Sequence, residues 1–363
     1  VRERVRLAFG MDLKEFGAHG PIEDTNITQA MSAEKFLQKP IVNVIKIGCE
    51  RCPTHSYWVT DFCQACIAHP CTSVCPKNCV SIIDDRAHID QEKCIRCGKC
   101  AQVCPYNAIV YRERPCAAAC GVDAIESDED GFAQINYDKC VTCGLCIVSC
   151  PFGAIAEKSE IVQIMHSLKE RDTYAIIAPS FVSQFGPLVE PPQIFDAICK
   201  IGFKGVYEVA YGADLAVLNE SAEILRLLEK DGNYNIKSPD IPPTTNEVEE
   251  EIEEIQKEGE RDFVGNYPEL SNNIRESYTP MVETAKRVKR DHPNATVVMI
   301  GPCIAKKMEV FHEEVEKYVE FIMTFEELAA LFVALGVDPT EIGKEKCEAE
   351  CDENASVLGR GFP

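Results

Sequence analysis

The stretch Cys-Ile-Arg-Cys-Gly-Lys-Cys-Ala-Gln-Val-Cys-Pro at positions 94–105 has the spacing C-x2-C-x2-C-x3-C-P. Positions 140–151, Cys-Val-Thr-Cys-Gly-Leu-Cys-Ile-Val-Ser-Cys-Pro, repeat it. Three thiolates on one tight loop can bind three irons of a [4Fe–4S] cubane, while the fourth reaches a neighbouring cluster. Zinc sites close with four ligands in two pairs and do not need two such runs. The repeated spacing therefore predicts iron–sulfur clusters.

Further cysteines extend this pattern, which is that of bacterial ferredoxins. Positions 63–76 read C-x2-C-x4-C-x3-C-P, with two extra residues between the second and third cysteines. Cys116 and Cys120 form the second half of a run, for which Cys49 and Cys52 are the candidate first half. An alternative with three clusters leaves Cys49 and Cys52 without iron. Cys79 is predicted to be a buried thiol and not a ligand.

Sixteen cysteines are enough for four cubanes, and the exchange of fourth cysteines between paired runs suggests how they divide. A rival grouping exchanges Cys104 and Cys150 between the two regular runs. The first grouping consists of Cys63, Cys66 and Cys71 with Cys104; Cys94, Cys97 and Cys100 with Cys75; Cys140, Cys143 and Cys146 with Cys120; and Cys49, Cys52 and Cys116 with Cys150.

Bulk composition limits the classes of partner. The formal net charge is −22 before any thiolate is counted. A surface of this charge repels nucleic acid and anionic lipid and attracts basic patches on protein partners. We find no apolar run near 18 residues and no basic-plus-apolar leader, so neither a membrane span nor export is predicted. Iron ligation by so many thiolates indicates a reducing cytoplasm.

After position 151 cysteine becomes scarce and strands alternate with helices, which is typical of an α/β domain with a parallel sheet. At 363 residues the chain has room for about two or three domains. We expect an N-terminal segment (1–40), an iron–sulfur domain (41–158) and an α/β domain (159–363) with an acidic insertion (233–262). Predicted strands are Thr173–Pro179, Gly205–Ala210 and Thr296–Ile300, and predicted helices are Gln193–Ile201, Asp214–Lys230 and Thr324–Leu335.

Within this second region the segment Ile300–Glu309, Ile-Gly-Pro-Cys-Ile-Ala-Lys-Lys-Met-Glu, resembles the second active-site motif of iron-only (FeFe) hydrogenases, P-C-x2-K-x2-E. The extra cysteine runs resemble the ferredoxin-rich monomeric branch of that family. The resemblance implies fold class α+β, in which a bacterial-ferredoxin-like multi-cluster domain precedes an α/β hydrogenase-type domain with a parallel sheet. Other similar segments are Pro151–Ile155, Ile177–Ser180, Gly212–Leu215, Tyr267–Leu270 and Thr279–Val282.

The resemblance also implies a reaction. In the family one cysteine bridges a cubane to a diiron unit with carbonyl and cyanide ligands, which interconverts protons and dihydrogen. Cys303 matches a ligand of that cubane, and Lys306 matches the lysine that donates to a cyanide. Glu309 matches the carboxylate of the motif. Glu220 and Glu223 match carboxylates of the proton route.

The chain also departs from the family pattern. The first motif, T-S-C-C-P, is expected just before Tyr267, where Gly259–Asn266 contains no cysteine. Arg275 stands where a serine of the proton route is usual. The third motif, C-P-G-G-C, is not found, although Cys347 and Cys351 share its C-x3-C spacing.

Two functions follow from this mixture of features. One is an enzyme in which the cubanes relay electrons to or from a dihydrogen-converting diiron centre. The other is an electron-transfer subunit with the same scaffold but without its own diiron centre. Under both hypotheses the partner is a redox protein, such as a ferredoxin or another oxidoreductase subunit.

Overall fold

The computed structural model describes residues 1–15, 17, 27–218 and 278–343, together with the backbone of 350–352. The chain divides into two compact units. The first contains residues 39–158 with 1–7 and 12–21, and the second contains residues from 159 onwards with 8–11 and 22–38. The N-terminal segment is therefore shared between the units. Mixed helices and strands confirm the predicted α+β class.

The first unit contains two copies of one motif. In each copy the first and last strands form an antiparallel pair, called here the closing pair, and a β-hairpin lies between these two strands in the sequence. In the inner copy β2 (Ser56–Val59) pairs with β5 (Ile109–Arg112), around the hairpin of β3 (Val80–Ile83) and β4 (Arg86–Ile89). In the outer copy β1 (Val42–Val44) pairs with β8 (Ile155–Glu157), around the hairpin of β6 (Ile125–Ser127) and β7 (Ala133–Ile135).

The inner copy is inserted into the outer one. All four strands of the inner copy lie between Cys52 and Cys116, the two ends of the incomplete cysteine run. Apart from that insertion, the outer copy has the same order of elements as the inner copy: an opening strand, a helix, a hairpin, a second helix and a closing strand. The incomplete run is thus a ferredoxin-type run divided by a complete second module.

In each of the four runs the third cysteine lies on a short helix. The first two of these helices pack against each other, and so do the last two. Because each helix lies at the end of a tight loop, it begins with proline or follows a left-handed glycine, both suited to that position. These helices are Pro70–Ser73, Lys99–Gln102, Pro115–Ala118 and Leu145–Ser149.

The second unit contains the predicted parallel sheet, made of β9 (Thr173–Ile177), β10 (Gly205–Glu208), β11 (Thr296–Gly301), β12 (Phe321–Thr324) and β13 (Glu350–Asp352). The strand order is β12-β11-β9-β10-β13. Every side chain of β9, β10, β11 and β12 is buried, as expected for a sheet covered on both faces.

Helices flank this sheet. The helix predicted from Gln193 begins at Pro191, because proline suits the first turn and Glu190 and Gln193 form a capping box. Residues 209–218 are helical, while the rest of the predicted helix lies outside the described residues. No helix in the described ranges is long and apolar enough to span a bilayer. The remaining helices are Arg2–Ala8, Ile27–Ala30, Ile161–Glu170, Pro280–Asp291, Lys306–Glu309, Glu313–Glu316 and Phe325–Leu335.

Glu160 is a buried carboxyl group in the second unit. Its Oε2 accepts a hydrogen bond from the Ile322 N–H at 3.1 Å, while Oε1 has no partner within the described part of the chain. The buried Lys307 ammonium donates to Glu327 at 2.9 Å. Burial raises the pKa of Glu160 to about 7, although the Ile322 N–H and Lys307 oppose this. When Glu160 is protonated and neutral, the positive charge of Lys307 and the negative charge of Glu327 balance each other.

We expect the pH dependence of stability to change in Glu160→Gln. A carboxyl whose pKa rises on folding contributes stability below its ordinary pKa of 4.5 and loses it as the pH rises through about 7. That loss is on the order of 3 kcal/mol of unfolding free energy. Thermal unfolding of the wild type at several pH values should show this decline, and glutamine, which cannot ionise, should reduce it. Exposed Glu326→Gln is the control, and equal slopes in all three proteins would contradict the assignment.

Candidate metal centres

The four C-x2-C loops share one backbone feature. In each loop the residue just before the second cysteine has a left-handed φ, between 42° and 59°. Non-glycine residues rarely adopt this conformation, which costs on the order of 1 kcal/mol. Its recurrence at four equivalent positions indicates that the loop through Cys49 and Cys52 is built like the other three. The residues are Arg51, Ala65, Arg96 and Thr142.

The last cysteine of each run is also held in the same way. Its Sγ accepts a hydrogen bond from the backbone N–H four residues later. Such donors favour the thiolate, which is the form that binds iron. The bonds run from Cys79 N to Cys75 (3.4 Å), Ala108 N to Cys104 (3.4 Å), Ala124 N to Cys120 (3.2 Å) and Ala154 N to Cys150 (3.3 Å).

The divided run closes around a pocket. Cys49, Cys52, Cys116 and Cys150 all line it, and its volume, including the part open to solvent, is about 320 Å³. Cys49 Sγ also accepts a hydrogen bond from the Ala133 N–H at 3.4 Å. Four thiol groups around one concave space match the Cys₄ ligand set of a [4Fe–4S] cluster. The residues present therefore fit the cofactor that the spacing predicts.

The buried cysteines of the other runs also lie beside further thiols. Cys71 lies beside Cys66 and Cys104, and Cys100 lies beside Cys94 and Cys75. Cys146 lies beside Cys140, Cys143 and Cys116. Together with Cys150 in the pocket of the divided run, the neighbours of Cys71 and Cys100 agree with the first grouping, whereas the assignment of Cys120 stays a prediction. Cys63 packs with the inner group, and Cys97 and Cys143 are exposed.

The buried member of each run is its third cysteine. Burial raises the pKa of Cys116 to about 11 and that of Cys146 to about 12. It also raises the pKa of Cys71 and Cys100. These thiols hold their protons at neutral pH without metal, so cluster binding must displace protons.

The cysteines do not converge on single points. Among the described residues, no three side chains of Cys, His, Asp or Glu are close enough to share one metal ion. A zinc ion requires such convergence, with sulfur about 2.3 Å from the metal. In a cubane each thiolate binds a different iron, so its ligands stand apart. Such spacing is compatible with cubane ligation.

Cys79 occupies the position that Ala108, Ala124 and Ala154 fill in the other runs. Its Sγ lies 3.3 Å from the Sγ of Cys75. Burial and this contact raise the pKa of Cys79 to about 12. Partial burial raises the pKa of Cys75, but hydrogen bonds from Cys79 lower it, and the net shift of the Cys75 pKa is downward. Two anionic sulfurs this close would repel each other, so we expect Cys79 to keep its proton.

We expect Cys79→Ala to retain all of its iron, because alanine is the residue at this position in the other runs. Iron and acid-labile sulfide per chain are the measurements. In contrast, Cys75→Ser should lose about four irons, the content of one cubane. Equal losses in the two variants would identify Cys79 as a ligand and contradict this prediction.

The hydrogenase-like motif lies at the carboxyl end of β11. Cys303 is exposed just after the strand, and Lys306 and Glu309 lie on the following short helix. The Lys306 ammonium donates to Glu309, which also accepts a hydrogen bond from the Thr279 hydroxyl at 3.2 Å. The motif thus brings a thiol, an ammonium and a carboxylate to one strand end. Glu220, Glu223, Cys347 and the side chain of Cys351 lie outside the described residues.

A second cavity lies at the carboxyl ends of β9 and β10. Its volume, including the part open to solvent, is about 760 Å³, and buried Glu208 lines it among proline and phenylalanine side chains. This carboxylate was not among the residues selected from the sequence. The sequence offered one signal for this residue, namely its position near the end of a predicted strand. Ligands bind at the carboxyl ends of parallel strands. The other lining residues are Pro179, Phe181, Val182, Pro191, Pro192 and Phe195.

Family models match both units. The model described as "Iron only hydrogenase large subunit, C-terminal domain" matches residues 171–258 and 263–363, just over half of the chain. The model described as "4Fe-4S binding domain" matches residues 87–110 and 133–156. The latter two segments contain the two regular cysteine runs.

Individual proteins are similar over parts of the chain. Iron hydrogenase 1 of Clostridium pasteurianum is 26% identical over 280 residues, which are 70% of this chain and 46% of that protein. Electron transport protein HydN of Escherichia coli is 40% identical over 53 residues, 15% of this chain and 30% of HydN. An [FeFe]-hydrogenase structure from Chlamydomonas reinhardtii is 18% identical, covers 52% of this chain and 51% of its own, and has a TM-score of 0.39. The chain thus spans less than half the length of each of the two curated relatives.

Proposed function

Since the chain belongs to the iron-only hydrogenase family, we propose that it relays electrons through four [4Fe–4S] clusters. The electrons pass between a redox partner and the hydrogenase-type unit. The pocket formed by the divided run carries this proposal, because a ferredoxin-type ligand set is completed there by cysteines distant in sequence. The iron–sulfur electron-transfer character agrees with the family models and with the similarity to HydN.

The chain's own residues have defined tasks in this relay. A bound cubane supplies a one-electron carrier, and its charge becomes more negative on reduction. Sixteen cysteines hold the clusters, and the backbone N–H groups that point at sulfur favour the more negative form. Cys97 and Cys143, the exposed members of the two regular runs, place their clusters nearest to solvent. These two loops are the candidate points of electron exchange with a partner.

The partner is expected to be a redox protein with a basic docking surface. The chain carries a formal charge of −22, and bound cubanes with four thiolates add negative charge. Complementary charge steers such encounters and makes their rate depend on ionic strength. A ferredoxin or another oxidoreductase subunit in the cytoplasm fits this description.

Anaerobic purification with metal analysis tests the cluster assignment. Four cubanes require about 16 irons and as many sulfides per chain. Reduced samples should show the electron paramagnetic resonance signals of [4Fe–4S]⁺ centres. About 8 irons would exclude the four-cluster grouping, and a colourless protein that binds zinc would exclude the function.

Dihydrogen conversion is the second candidate function. It is supported by the arrangement of Cys303, Lys306 and Glu309, which would ligate a cubane, donate to an anionic ligand and hold a proton, respectively. Glu220 and Glu223 are the proposed proton-route carboxylates. Against it, the sequence contains no cysteine between Cys199 and Cys303, where the family's first motif, T-S-C-C-P, would supply two. Infrared bands of metal-bound carbonyl and cyanide in protein matured with the assembly enzymes would establish this activity, and their absence would exclude it for this chain.

A further inference from the structure

Arg114 is a buried cation at the divided run. Only 2% of its surface is exposed, and its guanidinium donates solely to backbone carbonyl groups. The acceptors are Cys52 O (3.0 and 3.3 Å), Gly131 O (2.8 Å) and Glu126 O (3.3 Å). Within the described residues no carboxylate forms an ion pair with Arg114. An unpaired buried charge is costly, so the positive charge requires a counter-ion that the described residues do not supply.

The pocket beside Arg114 supplies the place for that counter-ion. Arg114 lines it together with Cys49, Cys52, Cys116 and Cys150. Glu50, the only carboxylate in the lining, is exposed. A cubane bound by four thiolates carries net negative charge, and one-electron reduction adds another. The buried guanidinium would therefore stabilise the reduced cluster more than the oxidised one.

Arg114 also joins the two halves of the divided run. It immediately precedes the helix that carries Cys116, and its side chain holds the carbonyl of Cys52. The other three runs have His69, Gly98 and Gly144 at the same position, two residues before the third cysteine. Those runs are continuous or nearly so, and the chain itself holds their halves together. Among the four runs, arginine thus occupies this position only in the divided run, whose two halves are not held together by a short loop.

We propose that Arg114 is a positioning residue that closes the divided run and makes its cluster the one with the highest reduction potential of the four. This proposal rests on the proposed four-cluster function. An electron supplied by the redox partner would then reside preferentially on the cluster of Cys49, Cys52, Cys116 and Cys150. The cluster reduced first is therefore set by one buried side chain.

Potentiometric titration followed by electron paramagnetic resonance tests this on the full-length, iron-loaded chain. Arg114→Met keeps the bulk and removes the charge, whereas Arg114→Lys keeps the charge. We expect Arg114→Met to weaken reduction of the highest-potential cluster at least tenfold, which is about 59 mV for one electron, without moving the other three. Arg114→Lys should shift it less. Arg112→Gln removes an exposed arginine on β5, outside the cysteine runs, and should shift no potential by a comparable amount, because solvent screens that charge.

The outcomes separate this proposal from the proposed function. Unchanged potentials in an iron-replete Arg114→Met variant overturn it, as does an equal shift in Arg114→Lys. Loss of about four irons from Arg114→Met but not from Arg114→Lys supports it, because the two variants differ in charge. Loss of that iron from both overturns the counter-ion role. A wild-type chain without four cubanes refutes the proposed function itself, and iron analysis reveals this before any titration.

Discussion

Replacing Cys52 with serine should remove about four of about 16 irons, and replacing Cys116 should remove the same four. The two cysteines are far apart in sequence, but both line the pocket of the divided run together with Cys49 and Cys150. A cubane that loses one thiolate ligand loses much of its binding free energy, because that energy depends on a complete ligand set. We expect the outer copy, defined by β1, β6, β7 and β8, to lose stability in both variants.

The double variant distinguishes one shared cluster from two separate ones. If both cysteines bind the same cubane, Cys52→Ser combined with Cys116→Ser should lose no more iron than either single change. Iron, sulfide and thermal unfolding under anaerobic conditions are the measurements. Cys199→Ser is the matched control, because Cys199 is a partly exposed thiol on the helix Pro191–Lys200, outside the cysteine runs.

Two other results would contradict this grouping. Loss of about eight irons in the double variant would place Cys52 and Cys116 in different clusters. Retention of all iron in Cys52→Ser would favour the three-cluster alternative, in which Cys49 and Cys52 bind none. Both results would leave the two regular runs as cluster ligands.

Local sequence patterns predicted much of this fold. The strands β9, β10 and β11 are short apolar runs bounded by turns, and the structure places them within a few residues of the predicted limits. The helix Phe325–Leu335 begins after the capping box of Thr324 and Glu327, a signal visible in the sequence. The helix Pro280–Asp291 was missed, because its buried residues are interspersed with lysine and arginine.

The nested arrangement was not predictable from local patterns. The spacing of Cys49, Cys52, Cys116 and Cys120 suggested one incomplete run, but an insertion between its halves is a long-range property. It became visible through the pairing of β1 with β8 outside that of β2 with β5. Arg114 carries no sequence signal of its own, because its role depends on carbonyl groups brought together by folding.

The hydrogenase-like motif shows a different limit. Sequence resemblance selected Cys303, Lys306 and Glu309, and the structure places all three at the end of β11. It did not reveal that the Lys306 ammonium is bound to Glu309. This contact depends on the helical spacing of three residues. It uses one of the three donors of the ammonium, so Lys306 can keep Glu309 while another of its donors faces an anionic ligand.

Removing the inserted module should leave a working half of the iron–sulfur unit. Deletion of residues 53–113 joins Cys52 directly to position 114 and creates the regular spacing C-x2-C-x2-C-x3-C. The regular runs have a left-handed glycine at the equivalent position, with φ of 75° at Gly98 and 82° at Gly144. The variant therefore also needs Arg114→Gly. It needs Pro115→Lys as well, because proline restricts the residue before it.

This shortened chain should bind about 8 irons, half of the wild-type content. The closing pair of β1 with β8 and the hairpin of β6 with β7 lie entirely outside the deleted segment, so the outer copy retains its own hydrogen-bonded frame. Cys52 and Pro115 already line the same pocket, so the new junction connects chain segments that are close in space. Chain continuity then replaces the contact that Arg114 makes with the Cys52 carbonyl.

The same deletion with Cys116→Ser is the control and should bind about 4 irons, because one of its two remaining clusters lacks a ligand. Iron analysis and electron paramagnetic resonance of the reduced proteins give both values. A deletion variant that folds, as judged by circular dichroism, but binds no iron would show that the outer copy depends on the inner one. In that case the two copies would form one cooperative unit, and the inner module could not be regarded as an insertion into an independent domain.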